Sequence, residues 1–263
     1  MEATTTGGVR AVKSAEHTVA VLEYLASRQD RPARIREIVA ATTIPRSSAY
    51  ALLQTLTDLG WVERDQTGLL YGVGIRALIA GVSYLDADPR LGLLRPWLDR
   101  LRTELDETIH LARLDGAEIV YLATRESGQY LRAINRVGRR LPAHATSLGK
   151  ALLASLPDDE LDRTLELLPP DPLPSLTAHT LTTRRALRAD LRAVRERGWA
   201  SDHEENTEGL RCLGIALPVP RGTNPVRDAI SCSVPSARLT AEREARIAEL
   251  LLATAGEIAS AHR

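Results

Sequence analysis

The first seventy-five residues contain three helix-like segments followed by two strand-like segments, and this order strongly limits the folds that the chain can adopt. Apolar residues recur on one helical face from Ala15 onward, and a second short amphipathic segment follows at residues 35–39. Pro45 suits the first turn of a third helix, and Gly60 stands where a left-handed residue would end it. Two runs of strand character, joined by the polar turn 65–68, come next. The order predicts a winged helix-turn-helix.

In a winged helix-turn-helix the third helix enters the DNA major groove, and the hairpin reaches the DNA backbone or the minor groove. Arg and Gln can make paired hydrogen bonds to base edges, whereas hydroxyl groups mostly contact phosphates. The apolar side of the third helix is predicted to carry Ala49, Leu52, Leu53, Leu56 and Leu59. The predicted DNA contacts are the residues left on its outer side, with one from the hairpin: Arg46, Ser47, Ser48, Tyr50, Gln54 and Arg64.

Charge does not favour a nucleic-acid partner. Lys plus Arg equals Asp plus Glu at 34 each over the 263 residues, and the first seventy-five residues carry eight of each sign. Short three-helix units also serve as dimerisation or docking modules, and charged outer faces are usually only solvated. DNA binding and protein docking therefore both remain open at this point.

The chain has the composition of a globular protein that works inside the cell. Hydrophobic residues make up 44% of it, no apolar run is long enough for a membrane span, and the first ten residues lack the apolar stretch of a signal peptide. Two cysteines, Cys212 and Cys232, are too few for a secreted disulfide scaffold. We expect reduced thiols, a cytoplasmic location, no membrane partner and a disordered tail at residues 1–10.

The remainder of the chain predicts a second domain with a sheet. The Asp115-Gly116 pair between two apolar runs is a strong hairpin signal. Strand hairpins mixed with helices favour an α+β fold with a mixed or antiparallel sheet over a doubly wound nucleotide-binding fold. The expected helices cover residues 75–85, 91–107 and 240–262, and later strands cover residues 213–219 and 226–234.

The stretch His144-Ala-Thr-Ser-Leu-Gly-Lys-Ala-Leu-Leu-Ala154 places a Gly-Lys pair at the start of an apolar helix. A phosphate loop needs glycine where this chain has His144, and Ser or Thr where it has Ala151. Thr146 or Ser147 can instead cap the helix, whose free backbone amides favour a carboxylate. The stretch therefore predicts a site for a small organic acid.

The roles of the neighbouring residues are expectations of the same kind. Gly149 would let a ligand or a neighbouring backbone come close, and Lys150 is interpreted as a solvated surface charge. Arg132 and Arg136 are alternative counter-ions for the acid, although arginines before a loop more often face water.

Five segments together resemble the IclR family of bacterial transcriptional regulators. They are AVLEYLA, IREIVAATTIPRSSAYALLQTLTDLGWVERDQTGLLYGVGIRAL, LPAHATSLGKALLASLP, RERGWASDHEENTEGLRCLGIALPV and DAISCSVPSARLT. The resemblance implies an N-terminal winged helix-turn-helix, a connecting helix, and a C-terminal GAF-like domain that binds a small metabolite. It also implies dimers or tetramers on operator DNA. Family members often have Arg where this chain has Ala51, so a DNA contact common in relatives is absent here.

The resemblance also implies a second part of the ligand site. Ser231 and Ser233 are two residues apart on a predicted strand and therefore share a face. Matched to the family pattern, they fall at pocket-lining positions together with Asp202 and Cys212. An ionised Asp202 would repel a carboxylate, so we expect it to face a ligand hydroxyl or to cap a neighbouring loop. The predicted effector site comprises Thr146, Ser147, Leu148, Gly149, Asp202, Cys212, Ser231 and Ser233.

These expectations combine into a one-component transcription factor. Residues 11–74 form the DNA-binding domain, residues 75–88 the linker helix and residues 89–263 the effector domain. The protein is expected to be a repressor, a homodimer or dimer of dimers on double-stranded operator DNA. Its expected effector is a small carboxylic acid, and an aromatic acid is favoured. The protein is expected to need no cofactor and no metal.

A hydrolase is the alternative class. Cys212 with His203 or His144 could form a thiol nucleophile and its base, and His203, Asp202 and Cys212 could bind a metal. Against this, the chain has no GxSxG or HExxH motif, and His203-Glu-Glu205 is interpreted as a solvated loop. No catalytic residue is therefore assigned.

Overall fold

A computed structural model describes residues 11–28, 31–133, 136–218 and 227–261 of the chain. The chain divides into two compact units, Met1–Ala87 and Asp88–Arg263. The tail expected to be disordered, residues 1–10, lies outside the described residues. No helix among the described segments is both long enough and apolar enough to cross a bilayer.

The first unit has the predicted order of helices followed by a hairpin. A short strand, which the sequence did not predict, joins the hairpin to make a three-stranded antiparallel sheet of order β1-β3-β2. The winged helix-turn-helix prediction is confirmed. The elements are α1 (Lys13–Ser27), β1 (Ala33–Arg34), α2 (Ile35–Thr42), α3 (Arg46–Asp58), β2 (Val62–Arg64), β3 (Leu70–Val73) and α4 (Ile75–Asp86).

Helix α3 packs with a narrower apolar side than predicted. Ala49, Leu53 and Leu56 are buried in the core of the first unit, and Leu52 packs partly against it. Leu59 was expected to face inward but is 58% exposed, so that prediction is wrong. The reason is that α3 ends at Asp58, and Gly60, at a φ of +73°, turns the chain toward the hairpin.

Helix α2 begins with a cap that the sequence analysis did not find. The carboxylate of Glu37 accepts the backbone N–H of Arg34 at 2.8 Å. This contact is one half of a capping box, in which the side chain of the third helical residue accepts the backbone N–H of the residue that precedes the helix.

The second unit is an α+β domain built on one six-stranded sheet. The strand order is β6-β5-β4-β9-β8-β7, and all neighbouring strands are antiparallel, which confirms the predicted fold class. Its elements are α5 (Pro89–Leu105), β4 (Thr108–Asp115), β5 (Glu118–Arg125), β6 (Arg140–Pro142), α6 (Ser147–Ser155), α7 (Asp158–Glu166), α8 (Arg184–Arg197), β7 (Ala200–His203), β8 (Leu210–Ala216), β9 (Asp228–Pro235) and α9 (Ala241–Ala261). Of these, β6, α7, α8 and β7 were not predicted.

The apolar core of this domain places α6 against the sheet. Leu148 and Leu152 of α6 belong to one buried cluster with Leu187 of α8 and with Tyr121 and Ala229 of the sheet. Helices α5 and α9 also pack on the sheet, α5 against β4 and β5 and α9 against β8 and β9. The start of α6 is therefore held between strands and helices, and this position creates the site discussed below.

Helix α5 is shifted toward the N-terminus relative to its predicted limits. The Asp88 carboxylate accepts the N–H groups of Arg90 and Leu91, so the helix starts at Pro89 instead of residue 91. It ends before Glu107, which was expected to be helical. Glu107 is instead fully buried and forms ion pairs with Arg238 and Arg243.

Candidate functional site

The outer side of α3 is exposed, as the sequence predicted. Arg46, Ser47, Ser48, Tyr50 and Gln54 are all accessible, and so is Arg64 on β2. The guanidinium of Arg46 lies 5.8 Å from the centre of the Tyr50 ring. This face therefore presents cationic, aromatic and amide groups together.

Hydrogen bonds join α3 to the hairpin at this face. Arg64 Nη2 donates to Gln54 Oε1 at 2.9 Å, and Gln54 Nε2 donates to Asp58 Oδ1 at 2.7 Å. The Arg64 guanidinium also lies 5.1 Å from the centre of the Tyr71 ring. Sequence reasoning selected Gln54 and Arg64 separately, because their contact depends on how the hairpin folds back. The two predicted DNA contacts form one unit in the structure.

The second unit contains a cavity of about 400 Å³ at the start of α6. Seven of the eight residues predicted for the effector site line it, namely Thr146, Ser147, Leu148, Asp202, Cys212, Ser231 and Ser233. The rest of the lining is Tyr121, Leu131, Arg132, Ala133, Arg139, Leu141, Asn206, Thr207, Glu208, Gly209, Leu210 and Pro235. The structure thus brings together three segments that are far apart in the sequence.

One wall of the cavity is the N-terminus of α6. Thr146 Oγ1 accepts the N–H of Gly149 at 3.0 Å, which confirms Thr146 as the cap. The amides of Ser147 and Leu148 have no intrahelical acceptor, since the first residues of any α-helix lack one. These amides and the helix dipole favour an anion at this wall.

Gly149 does not line the cavity. A Cβ atom at this position would overlap the Cα and carbonyl oxygen of Ala143. Of the two expected roles of Gly149, the close approach of a neighbouring backbone is the one that the structure has. The prediction that Gly149 belongs to the effector site is therefore corrected. Glycine at this position allows α6 to pack closely on the backbone of Ala143.

The floor of the cavity carries hydroxyl and thiol groups on β8 and β9. Ser231 and Ser233 share the cavity face of β9, and Cys212 lies opposite Ser233 with its Sγ 3.1 Å from Ser233 Oγ. Burial raises the pKa of the Cys212 thiol well above its usual range. Burial also raises the pKa of the Tyr121 hydroxyl. The floor is therefore neutral at physiological pH.

A buried histidine lies behind Tyr121. The His110 ring meets the Tyr121 ring edge-on with centroids 5.0 Å apart, and His110 Nδ1 lies 3.0 Å from Thr124 Oγ1. Burial lowers the pKa of His110 to about 3, so the imidazole carries no charge at neutral pH. His110 lies opposite Ser231 in the β4–β9 pair, and it adds no positive charge next to the cavity floor.

Asp202 stands at the wall beside the floor. It lies opposite Cys212 in the β7–β8 pair, and its Oδ1 accepts the backbone N–H of Glu205 at 2.7 Å. Of the two roles expected for Asp202, this contact is that of a loop cap, on the turn that directly follows β7. Burial raises the pKa of the Asp202 carboxyl to about 7, against the lowering effect of the Glu205 N–H.

Lys150 is not a solvated surface charge, and this prediction is wrong. The side chain is 2% exposed, and its Nζ forms ion pairs with Glu205 at 2.6 Å and Asp190 at 3.0 Å. Glu205 is also buried, so the acidic run that contains it is not a solvated loop. No local sequence pattern indicates these ion pairs, because the partners come from α8 and from the segment after β7, far from Lys150 along the chain.

The residues considered for the hydrolase alternative have other hydrogen-bond partners in the described part of the chain. Cys212 has Ser233 as its hydrogen-bond partner, and His203 is exposed and accepts hydrogen bonds from Arg211 through Nδ1. The Nε2 of His144 lies 3.1 Å from the carbonyl oxygen of Pro174. Within residues 11–28, 31–133, 136–218 and 227–261, no group of three or more His, Cys, Asp and Glu side chains could hold a metal ion.

Two arginines contribute to the cavity wall, and only one was singled out from the sequence. Arg132 lines the cavity and also pairs with Glu126 at 2.9 Å. Arg139 lines the cavity as well, whereas Arg136, predicted from the sequence as an alternative counter-ion, is exposed and is not part of the wall. The neighbouring arginines look alike in sequence, and only the path of the segment before β6 distinguishes them.

Comparison with known proteins identifies the family. Residues 83–260 match the C-terminal domain of the bacterial transcriptional regulator IclR, and residues 14–66 match the IclR helix-turn-helix domain. The chain belongs to the IclR family. It is accordingly a DNA-binding transcriptional regulator with a C-terminal effector domain, acts in the bacterial cytoplasm and is not an enzyme.

The IclR family assignment agrees with individual relatives. The chain is 31% identical over 252 residues to the transcriptional repressor AllR of Escherichia coli K12, covering 96% of this chain and 91% of AllR. The crystal structure of a transcriptional regulator from Rhodococcus sp. RHA1 is 33% identical, with a TM-score of 0.74 and coverage of 94% and 97% of the two chains.

A third structure is an IclR homologue of Microbacterium hydrocarbonoxydans in complex with 4-hydroxybenzoate. It is 23% identical to this chain, with a TM-score of 0.71 and coverage of 94% and 100% of the two chains. At this level of identity the likeness establishes the shared fold.

Proposed function

We propose that this regulator is a repressor whose affinity for operator DNA changes when a small carboxylic acid binds in the cavity at the start of α6. One observation carries the proposal: the N-terminus of α6 and a neutral floor of hydroxyl groups line the same cavity. The similarity to the repressor AllR supports the sign of the regulation.

The cavity chemistry suits an aromatic acid. The carboxylate lies at the amides of Ser147 and Leu148, within reach of the arginines in the wall. Ser231 and Ser233 form hydrogen bonds with polar substituents at the other end of the ligand. Leucines and Tyr121 in the lining cover an aromatic ring, and about 400 Å³ accommodates a single small acid.

The exposed side of α3 reads the operator, together with Arg64 of the hairpin. The proposal assigns residues 11–74 to the DNA-binding domain, residues 75–88 to the linker helix and residues 89–263 to the effector domain. Two copies of the chain place two α3 helices in successive major grooves of a nearly palindromic operator. The protein can adopt one conformation that binds DNA and another that does not. The acid changes DNA occupancy only to the extent that it binds these two conformations with different affinity.

Helix α4 supports self-association. Its apolar side chains at Ile75, Leu78, Ile79 and Val82 are between 42% and 60% exposed in the single chain. They form a stripe at helical spacing, and contiguous exposed apolar surface of this kind marks an interaction site. A homodimer or a dimer of dimers would cover it.

The effector part of the proposal is tested with a panel of small carboxylates, starting with 4-hydroxybenzoate. We expect at least one acid to raise the thermal midpoint of the protein and to bind in calorimetry. The double substitution Ser231→Leu and Ser233→Leu fills the floor and should abolish this binding while DNA binding persists. Ser260→Leu, on the exposed side of α9, is the matched control. Unchanged ligand binding in the double variant would move the site elsewhere.

The DNA part is tested on an operator selected from random duplexes by the wild-type protein. Arg46→Ala and Tyr50→Ala should each weaken operator binding by about 5- to 100-fold, since a base-edge contact contributes about 1–3 kcal/mol. The affinity should also fall steeply with salt. Arg163→Ala, at an exposed site in the second unit, should change neither property. If the α3 variants also lost ligand binding, the weaker operator binding would reflect misfolding and not the loss of a specific DNA contact.

A further inference from the structure

Three carboxyl groups and one cation lie close together at the cavity wall. Lys150 Nζ forms ion pairs with Glu205 at 2.6 Å and with Asp190 at 3.0 Å, so two carboxylates already balance its charge. The third carboxyl group, that of Asp202, accepts the N–H of Glu205. Among the parts of the chain that the structure describes, no Lys, Arg or His lies within ion-pair distance of Asp202.

The other groups around Asp202 do not supply a compensating positive charge. The thiol of Cys212 on β8 and the hydroxyl of Tyr121 on β5 are neutral, because burial raises the pKa of each. Glu208, after β7, adds a further carboxyl group to the cavity lining. The imidazole of His203, the next residue of β7, is exposed and bonds to Arg211.

The two arginines of the lining belong to another segment of the wall. Arg132 donates to Glu126 at 2.9 Å, so a carboxylate already offsets its charge. Arg139 lies in the segment before β6. Neither guanidinium group is an ion-pair partner of Asp202.

To offset its burial, an ionised Asp202 would have only the backbone N–H groups of Glu205 and Asn206 and the charge of Lys150 beyond ion-pair distance. Asp202 is 4% exposed, and a buried carboxylate without a cationic partner usually takes up a proton instead. It would also repel the carboxylate of an acidic ligand bound at the helix N-terminus of the same cavity. A proton on Asp202 removes both conflicts.

We propose that Asp202 carries a proton in the cavity and donates it in a hydrogen bond to the carboxylate of the acidic ligand, so that ligand binding is coupled to proton uptake. The proposal rests on the proposed function, since it needs an acid in this cavity. It replaces the expected repulsion between Asp202 and a carboxylate with an attractive contact. Affinity should be constant at low pH and fall by up to tenfold per pH unit once Asp202 ionises in the empty protein.

The proton can be tested without any ligand. The native protein holds this proton between the pKa of an unfolded Asp, about 4, and the raised pKa of about 7 in the fold. The unfolded chain releases it, so Asp202 makes the wild-type protein less stable as the pH rises through this window. Asp202→Asn keeps an oxygen acceptor for the Glu205 N–H but cannot titrate.

We therefore expect the melting temperature of Asp202→Asn relative to wild type to rise between pH 5 and pH 8. Asp159→Asn, at an exposed site on α7, should show a constant difference over the same range. A constant difference for Asp202→Asn as well would overturn the proposal. Infrared spectra of the wild-type protein give a second measurement that does not depend on the variant. A protonated-carboxyl band at pH 6 that disappears by pH 8.5 is expected, and its absence at pH 6 contradicts the proposal.

The donor role is tested by calorimetry with 4-hydroxybenzoate, or with the acid of the panel that binds most tightly, in two buffers of different ionisation enthalpy. At pH 8 we expect uptake of close to one proton by wild type and of none by Asp202→Asn. Binding without proton uptake overturns the donor role and leaves the proposed function intact. Failure of every carboxylate to bind overturns the proposed function and the donor role together, while the stability measurement still reports the protonation of Asp202.

Discussion

At the scale of single residues, the surroundings decide what a charged side chain does. Lys150 follows Gly149 in a stretch that resembles part of a phosphate loop, yet its Nζ is buried between Glu205 and Asp190. Because each ion of a buried pair has lost its hydration, removal of one partner leaves the other uncompensated. Lys150 therefore ties α6 to α8 and to the segment after β7, which also lines the cavity.

Lys150→Met should lower the free energy of unfolding of the second unit by about 3 kcal/mol, since it strands a buried carboxylate. Urea unfolding monitored by circular dichroism measures the change. Arg163→Met removes a cation of similar length from the exposed pair with Asp159 and should cost less than about 0.5 kcal/mol. Adding Glu205→Gln to Lys150→Met should restore part of the loss. Equal effects of the two cation variants would mean that the Lys150 pair contributes no more than a surface pair.

At the scale of elements, the start of α6 is fixed by backbone contacts. Gly149 lets the helix lie directly on Ala143, and Gly214 of β8 lets it approach the sheet at the backbone of Ser147. The cap at Thr146 then fixes the first turn of α6 at the cavity wall. A helix N-terminus held in this way can bind an anion without rearranging, because its donors are already in place.

Gly149→Ala should strongly destabilise the second unit, because the added methyl group would overlap the backbone of Ala143. Gly256→Ala is the matched control, since Gly256 lies in α9 with open space where a Cβ would stand. That control should be neutral or should stabilise the protein by about 0.5–1 kcal/mol through helix propensity. Thermal melts of both variants provide the measurement. A Gly149→Ala variant as stable as Gly256→Ala would show that α6 can move away from Ala143.

At the scale of the whole molecule, the DNA-binding helix-turn-helix and the candidate effector cavity lie in separate compact units. Helix α4, at the end of the first unit, has no buried residue in the single chain. The second copy of the proposed dimer would cover the apolar stripe of α4. Self-association would also double the DNA-reading surface, which suits a palindromic operator.

Leu78→Glu should shift the protein toward monomer, because it places a charge in the α4 stripe. Sedimentation velocity over a range of concentrations measures the shift, and operator affinity should fall with it. Leu167→Glu, at another exposed leucine in the second unit, should leave the oligomeric state unchanged. A wild-type protein that is monomeric at all concentrations, or a Leu78→Glu variant with unchanged mass, would contradict the dimer.

Local patterns in the sequence determined most of the fold of this protein. Spacing, caps and turn residues specified the helix-turn-helix, the hairpin at Asp115-Gly116 and a helix cap at Thr146 or Ser147, because these features depend on residues a few positions apart. The same local rules placed Ser231 and Ser233 on one face. They failed for the short strands β1, β6 and β7, which exist because other strands pair with them.

Only the tertiary structure decided the electrostatics of the site. Whether Lys150 is solvated, which arginine reaches the wall and whether Asp202 can ionise all depend on groups that lie far apart along the chain. Desolvation and charge pairing are properties of the folded surroundings, and no spacing rule encodes them. The sequence determined that a helix N-terminus and two serines were available for an acid, and the fold determined the charge of the cavity that they share.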